Sequence, residues 1–243
     1  MSSRIVEIAA DSMESCLEAQ RGGADRVELC CALNTGGLTP SAALVASARE
    51  LLQIPLFVLI RPREGDFMYS AREIRLMVDE IRRMTDLGAD GLVCGALTES
   101  READHGVMSQ LVRAAGRLPV TFHRAFDLIT NRAEAVDVLA DSGCTRVLTS
   151  GGASAVGDGL EVIRDTIALA GNRLTVIAGG GLQATDVRPL YDSGVREFHL
   201  SGRMPVRSIH ISHLYSMDYY RTSHVLVSDV VNALRQITAP DGH

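Results

Sequence analysis

The chain has 243 residues and a net charge of −6, which gives no electrostatic reason to expect nucleic acid or an anionic membrane as partner. All 24 basic residues are arginine, so Schiff-base catalysis, which needs a lysine amine, is excluded. No apolar run reaches membrane-spanning length, no signal-type segment precedes the first strand, and five cysteines at no framework spacing point to a reducing compartment, so a cytoplasmic protein is expected.

The first strand-like run is Ile5-Val-Glu-Ile8, and a helix over Ser12–Arg21 follows, capped by Ser12. The phrase Gly23-Ala-Asp-Arg-Val27 leads into a second strand that runs to Cys30. A helix over Ser41–Leu52 starts just after Pro40, and Pro55–Ile60 forms the third strand. The third helix, Ala71–Asp86, has Ser70 and Glu73 spaced as a capping box. Gly88-Ala-Asp-Gly-Leu92 leads into the fourth strand, a helix spans His105–Ala115, and Pro119–Phe122 is the fifth strand. After a helix over Ala133–Asp141, Gly143-Cys-Thr-Arg-Val147 opens the sixth strand. A helix over Gly157–Ala170, a seventh strand over Leu174–Ala178 and a helix over Ala184–Tyr191 come next. Gly194-Val-Arg-Glu-Phe198 opens the eighth strand, and Val225–Gln236 is the last helix.

The phrase Gly-x-x-x-hydrophobic recurs four times, each time after a helix, where a left-handed C-terminal residue belongs. Eight strands alternating with helices in an internal repeat predict a single (β/α)8 TIM barrel over residues 1–243. Residues 202–224 are expected to form a long loop after strand 8, acting as a lid or a binding loop. His210 and His213 in it are three apart, a weak metal signal set against aromatics packing on the barrel rim.

Side chains alternate along a strand, so the repeat supplies a common frame. With Val27 and Leu29 facing the helices, Arg26, Glu28 and Cys30 face the axis. The frame turns Val93 and Gly95, Leu148 and Ser150, and His199 and Ser201 inward on the other even strands. Glu7, Ala9, Thr121 and His123 follow on strands 1 and 5. The C-terminal strand ends, the active face of such a barrel, thus collect Glu7, Glu28, Arg61, Arg63, His123, Arg124 and Asp127 as candidate catalytic groups. A structural ion-pair network is the competing explanation for so many inward charges. Arg61 and Arg63 flank Pro62 as forked donors for a carboxylate or phosphate, unless Glu7, Glu28 or Asp66 holds them. His123 suits a general acid/base. Gly179, Gly180, Ser150, Gly151, His199 and Ser201 sit where barrels bind phosphate through backbone N–H groups.

Several of these exits carry a resemblance. Val27-Glu-Leu-Cys30, Gly36-Gly-Leu-Thr-Pro40, Arg61-Pro-Arg63 with Gly65-Asp-Phe67, Thr121-Phe-His-Arg-Ala-Phe-Asp127 and Val147-Leu-Thr-Ser-Gly151 together resemble the CutC family, the so-called copper homeostasis proteins. The resemblance implies a cytoplasmic (β/α)8 barrel that binds Cu(I), a soft ion suited to thiolate. The family's copper proposal rests on cysteines ending strands 1 and 2. Here Cys30 keeps the second position, and Ala9 stands at the first. Cys31 is the substitute, able to join Cys30 on one ion only where the strand has already ended. Cys16, Cys94 and Cys144 read as small buried hydrophobes.

Two functions follow. The resemblance implies a copper-trafficking protein with Cys30 and Cys31 as metal ligands. The inward charges suggest an enzyme of isomerase or lyase type acting on a small anionic, phosphorylated or carboxylate metabolite. A divalent ion held by Glu7, Glu28 and His123 is a variant of the second. No nucleotide cofactor is expected, and a homo-oligomer is expected on base rates alone.

Overall fold

The computed structural model describes residues 4–206 and 219–237. Its strands β1 (Ile5–Ala10), β2 (Arg26–Leu29), β3 (Leu56–Leu59), β4 (Gly91–Cys94), β5 (Val120–Phe122), β6 (Arg146–Thr149), β7 (Thr175–Gly179) and β8 (Glu197–Leu200) pair in sequence order. All neighbours are parallel, and β8 pairs back onto β1, with Glu7 opposite His199, so the barrel closes. Between strands run α1 (Met13–Arg21), α2 (Ala42–Leu51), α3 (Ala71–Asp86), α4 (His105–Ala115), α5 (Arg132–Asp141), α6 (Leu160–Ala170) and α7 (Ala184–Asp192), and α8 (His224–Arg235) follows. No described helix is long and apolar enough to cross a membrane.

The repeated glycine works as a helix stop. Gly23, Gly88, Gly143 and Gly194 all have positive φ, from 86° to 109°. The next residue's N–H then reaches back five positions, as in Ala24 to Ala19, Ala89 to Met84, Cys144 to Leu139 and Val195 to Leu190. This bond closes a Schellman motif and satisfies a carbonyl the helix end leaves open. Helix starts are equally defined. Ser12 and Ser41 accept from the N–H three residues on, and Ser70 with Glu73 completes a capping box.

The pleat divides each strand between two environments. Val6, Ile8, Val27, Leu29, Val58, Phe122 and Phe198 pack against the helices in one continuous shell. Cys30, Phe57, Leu59 and Val93 form a separate apolar cluster inside the barrel. Gly91 makes room for Phe57, since a Cβ there would meet the ring at 2.4 Å.

The structure departs from expectation around 202–224. In place of a plain loop, β9 (Arg203–Val206) and β10 (Tyr219–Thr222) pair antiparallel. Thr222 ties this ribbon down, its N–H donating to Ser15 Oγ at 3.2 Å and its hydroxyl to the Ser201 carbonyl at 3.0 Å. The loop histidines His210 and His213 lie outside the described residues. Two 3-10 turns, Arg124–Leu128 and Val156–Gly159, also replace segments expected to be loop or the start of α6.

Candidate functional site

The N-terminal half of the barrel interior is closed by charge. Arg26 on β2 pairs through Nε with Glu7 on β1, and through Nη2 with Glu197 on β8 at 2.6 Å. Arg146 on β6 reaches the same Glu197 at 3.3 Å. Both guanidinium groups lie over the Phe57 ring, at 4.5 and 5.3 Å. Burial opposes the charge on Glu7, yet Arg26 and His199 outweigh it and hold the carboxyl down at about 2. This layer is a matched floor.

One layer higher, the matching ends. His199 Nδ1 lies 2.7 Å from Glu7 Oε1 and 3.7 Å from Glu28 Oε2. Burial works against a charged ring there, but the Glu7 hydrogen bond and the two carboxylates win, and His199 is held above its ordinary value. Glu28 Oε2 is buried and has no hydrogen-bond partner. Burial, with the charge of Glu7 behind it, pushes Glu28 up to about 7 against the pull of His199. Glu7, Glu28 and His199 offer ligand atoms all within 4.8 Å of one another. The third member is thus His199 from β8, where His123 was expected. An ion there would have to compete for Glu7 with Arg26 and His199.

The exits of β3 and β5 form the facing wall. Arg61 is 6% exposed. Its Nη atoms donate to the carbonyls of Thr35, Gly37 and Gly65 at 3.0–3.2 Å, and its Nε has no partner. Its plane lies over Phe67 at 4.9 Å. No described carboxylate pairs with it, so the cation is held by dipoles alone. His123, 7% exposed, accepts the Ala125 N–H at Nδ1, which places the remaining ring proton on Nε2. That Nε2 is buried without a partner. Burial and the Arg61 charge pull the ring down to about 3, so His123 is neutral.

Between these walls lies a cavity of about 240 Å³. Glu28, Arg61, His123 and His199 line it, as do Arg124, Gly180, Ser201 and Arg203 around its mouth. Gly180 has a φ of +115°, and a Cβ there would come within 3.0 Å of the Arg124 guanidinium. Gly179 points inward beneath it, where a Cβ would press on His199 at 2.9 Å.

Other expected site residues have different work. Asp127 accepts from the Thr149 and Ser150 hydroxyls, the Ser150 and Gly152 N–H groups and Arg124 Nε. It is a saturated acceptor that ties the β6 exit to the β5 exit and aims Arg124. Ser150 completes that tie by receiving Arg124 Nη2 at 2.8 Å. Gly151 packs backbone to backbone on Gly159. Arg63 does not line the cavity, because Glu73, Asp66 and three nearby carbonyls engage it. Cys30 donates to the Ala10 carbonyl at 3.5 Å, and Cys31 to that of Thr39 at 3.2 Å. Burial pushes both thiols up, away from the thiolate a soft ion needs. Phe67 and the Gly36–Gly37 turn stand in the motifs that carry the resemblance, but their role in the site is not legible in the sequence. Phe67 supports both Arg61 and His123, and the turn supplies a carbonyl to Arg61.

This architecture defines a closed (β/α)8 barrel with a cavity and several unpartnered polar atoms at the C-terminal strand ends. A family model described as the CutC family matches residues 4–204. A Xanthomonas campestris pv. campestris (strain 8004) protein carrying the name family protein CutC is 44% identical over 236 residues, 95% of this chain and 98% of its own length. One of the same name from Salmonella enteritidis PT4 is 47% identical over 197 residues, covering 81% of this chain and 79% of its own. Among solved structures, a Streptococcus agalactiae protein provisionally named copper homeostasis protein CutC superposes with a TM-score of 0.77 at 32% identity, covering 82% of this chain and 98% of that one. The deoxyribose phosphate aldolase of Aeropyrum pernix superposes at 0.65 with 16% identity, over 96% of this chain and 91% of its own, a likeness of fold alone. The chain belongs to the CutC family.

Proposed function

We propose that the barrel is an enzyme of isomerase or lyase type, which binds a small anionic metabolite at the C-terminal strand ends and moves a proton on it. Arg61 carries the reading: a buried cation beside the cavity, bonded only to carbonyls, is completed by an incoming anion. Such a charge is costly to bury unless something pairs with it. Glu28, poised near neutrality and unpartnered, supplies the proton carrier. Gly180, Ser201 and Arg203 follow strands 7 and 8, where barrels hold phosphate, and Arg124 reaches towards them from the β5 exit. The cavity lies just below the roughly 300–1,000 Å³ of drug-sized sites, which suits a short metabolite.

A thermal-shift screen of sugar phosphates and small carboxylates tests this reading. At least one anion raises the melting temperature of the wild type, and Arg61→Met weakens its binding tenfold or more. Stabilisation by no anion, or binding unchanged in Arg61→Met, counts against it.

The provisional name of the Streptococcus relative, a copper homeostasis protein, points instead to copper. The donor set fits a soft ion poorly, since Cys30 and Cys31 bond to separate carbonyls and no described group of three ligands includes a cysteine. Stoichiometric anaerobic Cu(I) binding, abolished in Cys30→Ala/Cys31→Ser, would favour copper over the enzyme. All five cysteines are free thiols, which supports a reducing, cytoplasmic setting.

A further inference from the structure

The cavity holds two unsatisfied groups of opposite character. Glu28 Oε2 is an acceptor without a donor, and His123 Nε2–H is a donor without an acceptor. They reach the same space from β2 and β5, strands that stand three apart in a ring of eight. Arg61, from β3 between them, brings a charge with no carboxylate partner. A base, a neutral hydrogen-bond donor and a fixed cation around one small space form a set with a definite use. The base removes a proton from carbon while the other two receive the negative charge that appears on a neighbouring oxygen. The remaining anchor points are Gly180 and Ser201 after β7 and β8, and the Arg124 guanidinium, which reaches from the β5 exit to Ser150 and Gly180. A ligand held by both ends therefore carries its charged group outward and its reacting carbon inward.

We infer, resting on the anion-binding reading above, that the substrate is a short phosphorylated α-hydroxycarbonyl compound that reacts through an enediolate. The Glu28 carboxylate takes the proton from the carbon beside the carbonyl. The C–H electron pair becomes the new C=C bond, and the carbonyl π pair moves onto oxygen. His123 Nε2–H and Arg61 bind that oxygen. Glu28 then returns the same proton to the adjoining carbon while the hydroxyl proton passes to the oxygen that had taken up the charge, so the C=O bond re-forms one carbon along and no other reactant is consumed. Two features of the chain agree with this route. With no lysine anywhere, a carbonyl cannot be activated here as an iminium ion. The Ala125 N–H fixes the His123 tautomer, so the ring donates from Nε2 without first having to gain a proton.

Two ligands sharing a phosphate but differing in the reacting group test the inference by calorimetry. Phosphoglycolohydroxamate presents a planar group resembling an enediolate, and glycerol 3-phosphate has neither a carbonyl nor that plane. Inorganic phosphate is the third probe. The inference expects the hydroxamate to bind wild-type protein at least tenfold more tightly than glycerol 3-phosphate, because an enzyme favours the reacting state over the ground state. Glu28→Gln, nearly isosteric, and His123→Ala should each abolish that preference and leave glycerol 3-phosphate binding within about twofold. Equal binding of the two organic phosphates by wild type overturns the enediolate route and leaves the anion site standing. Loss of the preference in neither variant also overturns it. If none of the three probes binds and the wider anion screen is silent as well, the anion reading falls with it. The wild-type comparison needs no variant to fold, and a melting curve for each variant separates lost recognition from lost structure.

Discussion

An ordinary glutamate releases its proton near 4.5, whereas Glu28 keeps it to about 7 because burial penalises its charge. Between those values the folded chain holds a proton that the unfolded chain has released, so stability falls as pH rises through this window. His199 adds in the same direction. Its raised value stabilises the fold below its ordinary 6.5, and that gain is lost as pH climbs through the folded value. Glu7 acts oppositely, but its loss of stability comes as pH falls from 4.5 towards 2. His123, pulled down to about 3, opposes Glu28 and His199 below its ordinary 6.5, where the unfolded ring takes up a proton that the folded ring refuses. Calorimetry between pH 6.5 and 8 should therefore show the melting temperature falling with pH. Glu28→Gln should flatten that slope and melt several degrees higher at pH 8, given about 2–4 °C per kcal/mol in a chain of this size. A variant that melts lower than wild type at pH 8 contradicts the assignment of a strained carboxylate. Arg61 is the complementary case, a charge that only ligand completes. In Arg61→Met the unliganded protein should lose little stability compared with the tenfold or greater loss in anion affinity.

Strands and their exits form the next scale. The floor depends on Arg26, which pairs with Glu7 and Glu197 from two different strands. Arg26→Met leaves both carboxylates short of a partner, and urea unfolding should show a loss of about 3–5 kcal/mol. Gly91→Ala tests packing at the same level: the added methyl meets the Phe57 ring at 2.4 Å and should cost about 1–3 kcal/mol. At the β5 and β6 exits, Asp127→Ala removes the acceptor shared by Thr149, Ser150, Gly152 and Arg124. It should lower phosphate affinity through misplacement of Arg124, and the expected sign is a change in glycerol 3-phosphate binding together with a lower melting temperature. The inward frame of these strands was readable from sequence, because alternation is strictly local and the four glycine phrases set its phase. Glu28, His199 and Ser201 fall where that frame puts them. Pairing was not readable. Arg61 and Arg63 flank one proline and look alike in sequence, yet Arg61 meets carbonyls of Thr35 and Gly37 some two dozen residues away, while Arg63 meets Glu73 and Asp66. Similarly, nothing local distinguishes the bonding of the Cys30 sulfur to β1 from that of Cys31 to the chain at Thr39.

Across the whole molecule, the barrel interior changes character from one end to the other. Polar groups are matched at the N-terminal end, half matched around His199, and left without partners at Glu28 Oε2, His123 Nε2 and Arg61 Nε. The β9–β10 ribbon, tied to Ser15 and Ser201, stands beside the open end, and Arg203 at its start donates to Asn34 at 3.0 Å. The matched floor has a consequence for isotopes. Arg26 and Arg146 occupy the barrel beneath Glu7 with cations that do not give up protons, so the floor offers hydrogen no way out. With a ligand filling the cavity above, deuterium lifted from one carbon by Glu28 can leave only by way of His199 at 3.7 Å, so part of it should reappear on the neighbouring carbon of the product.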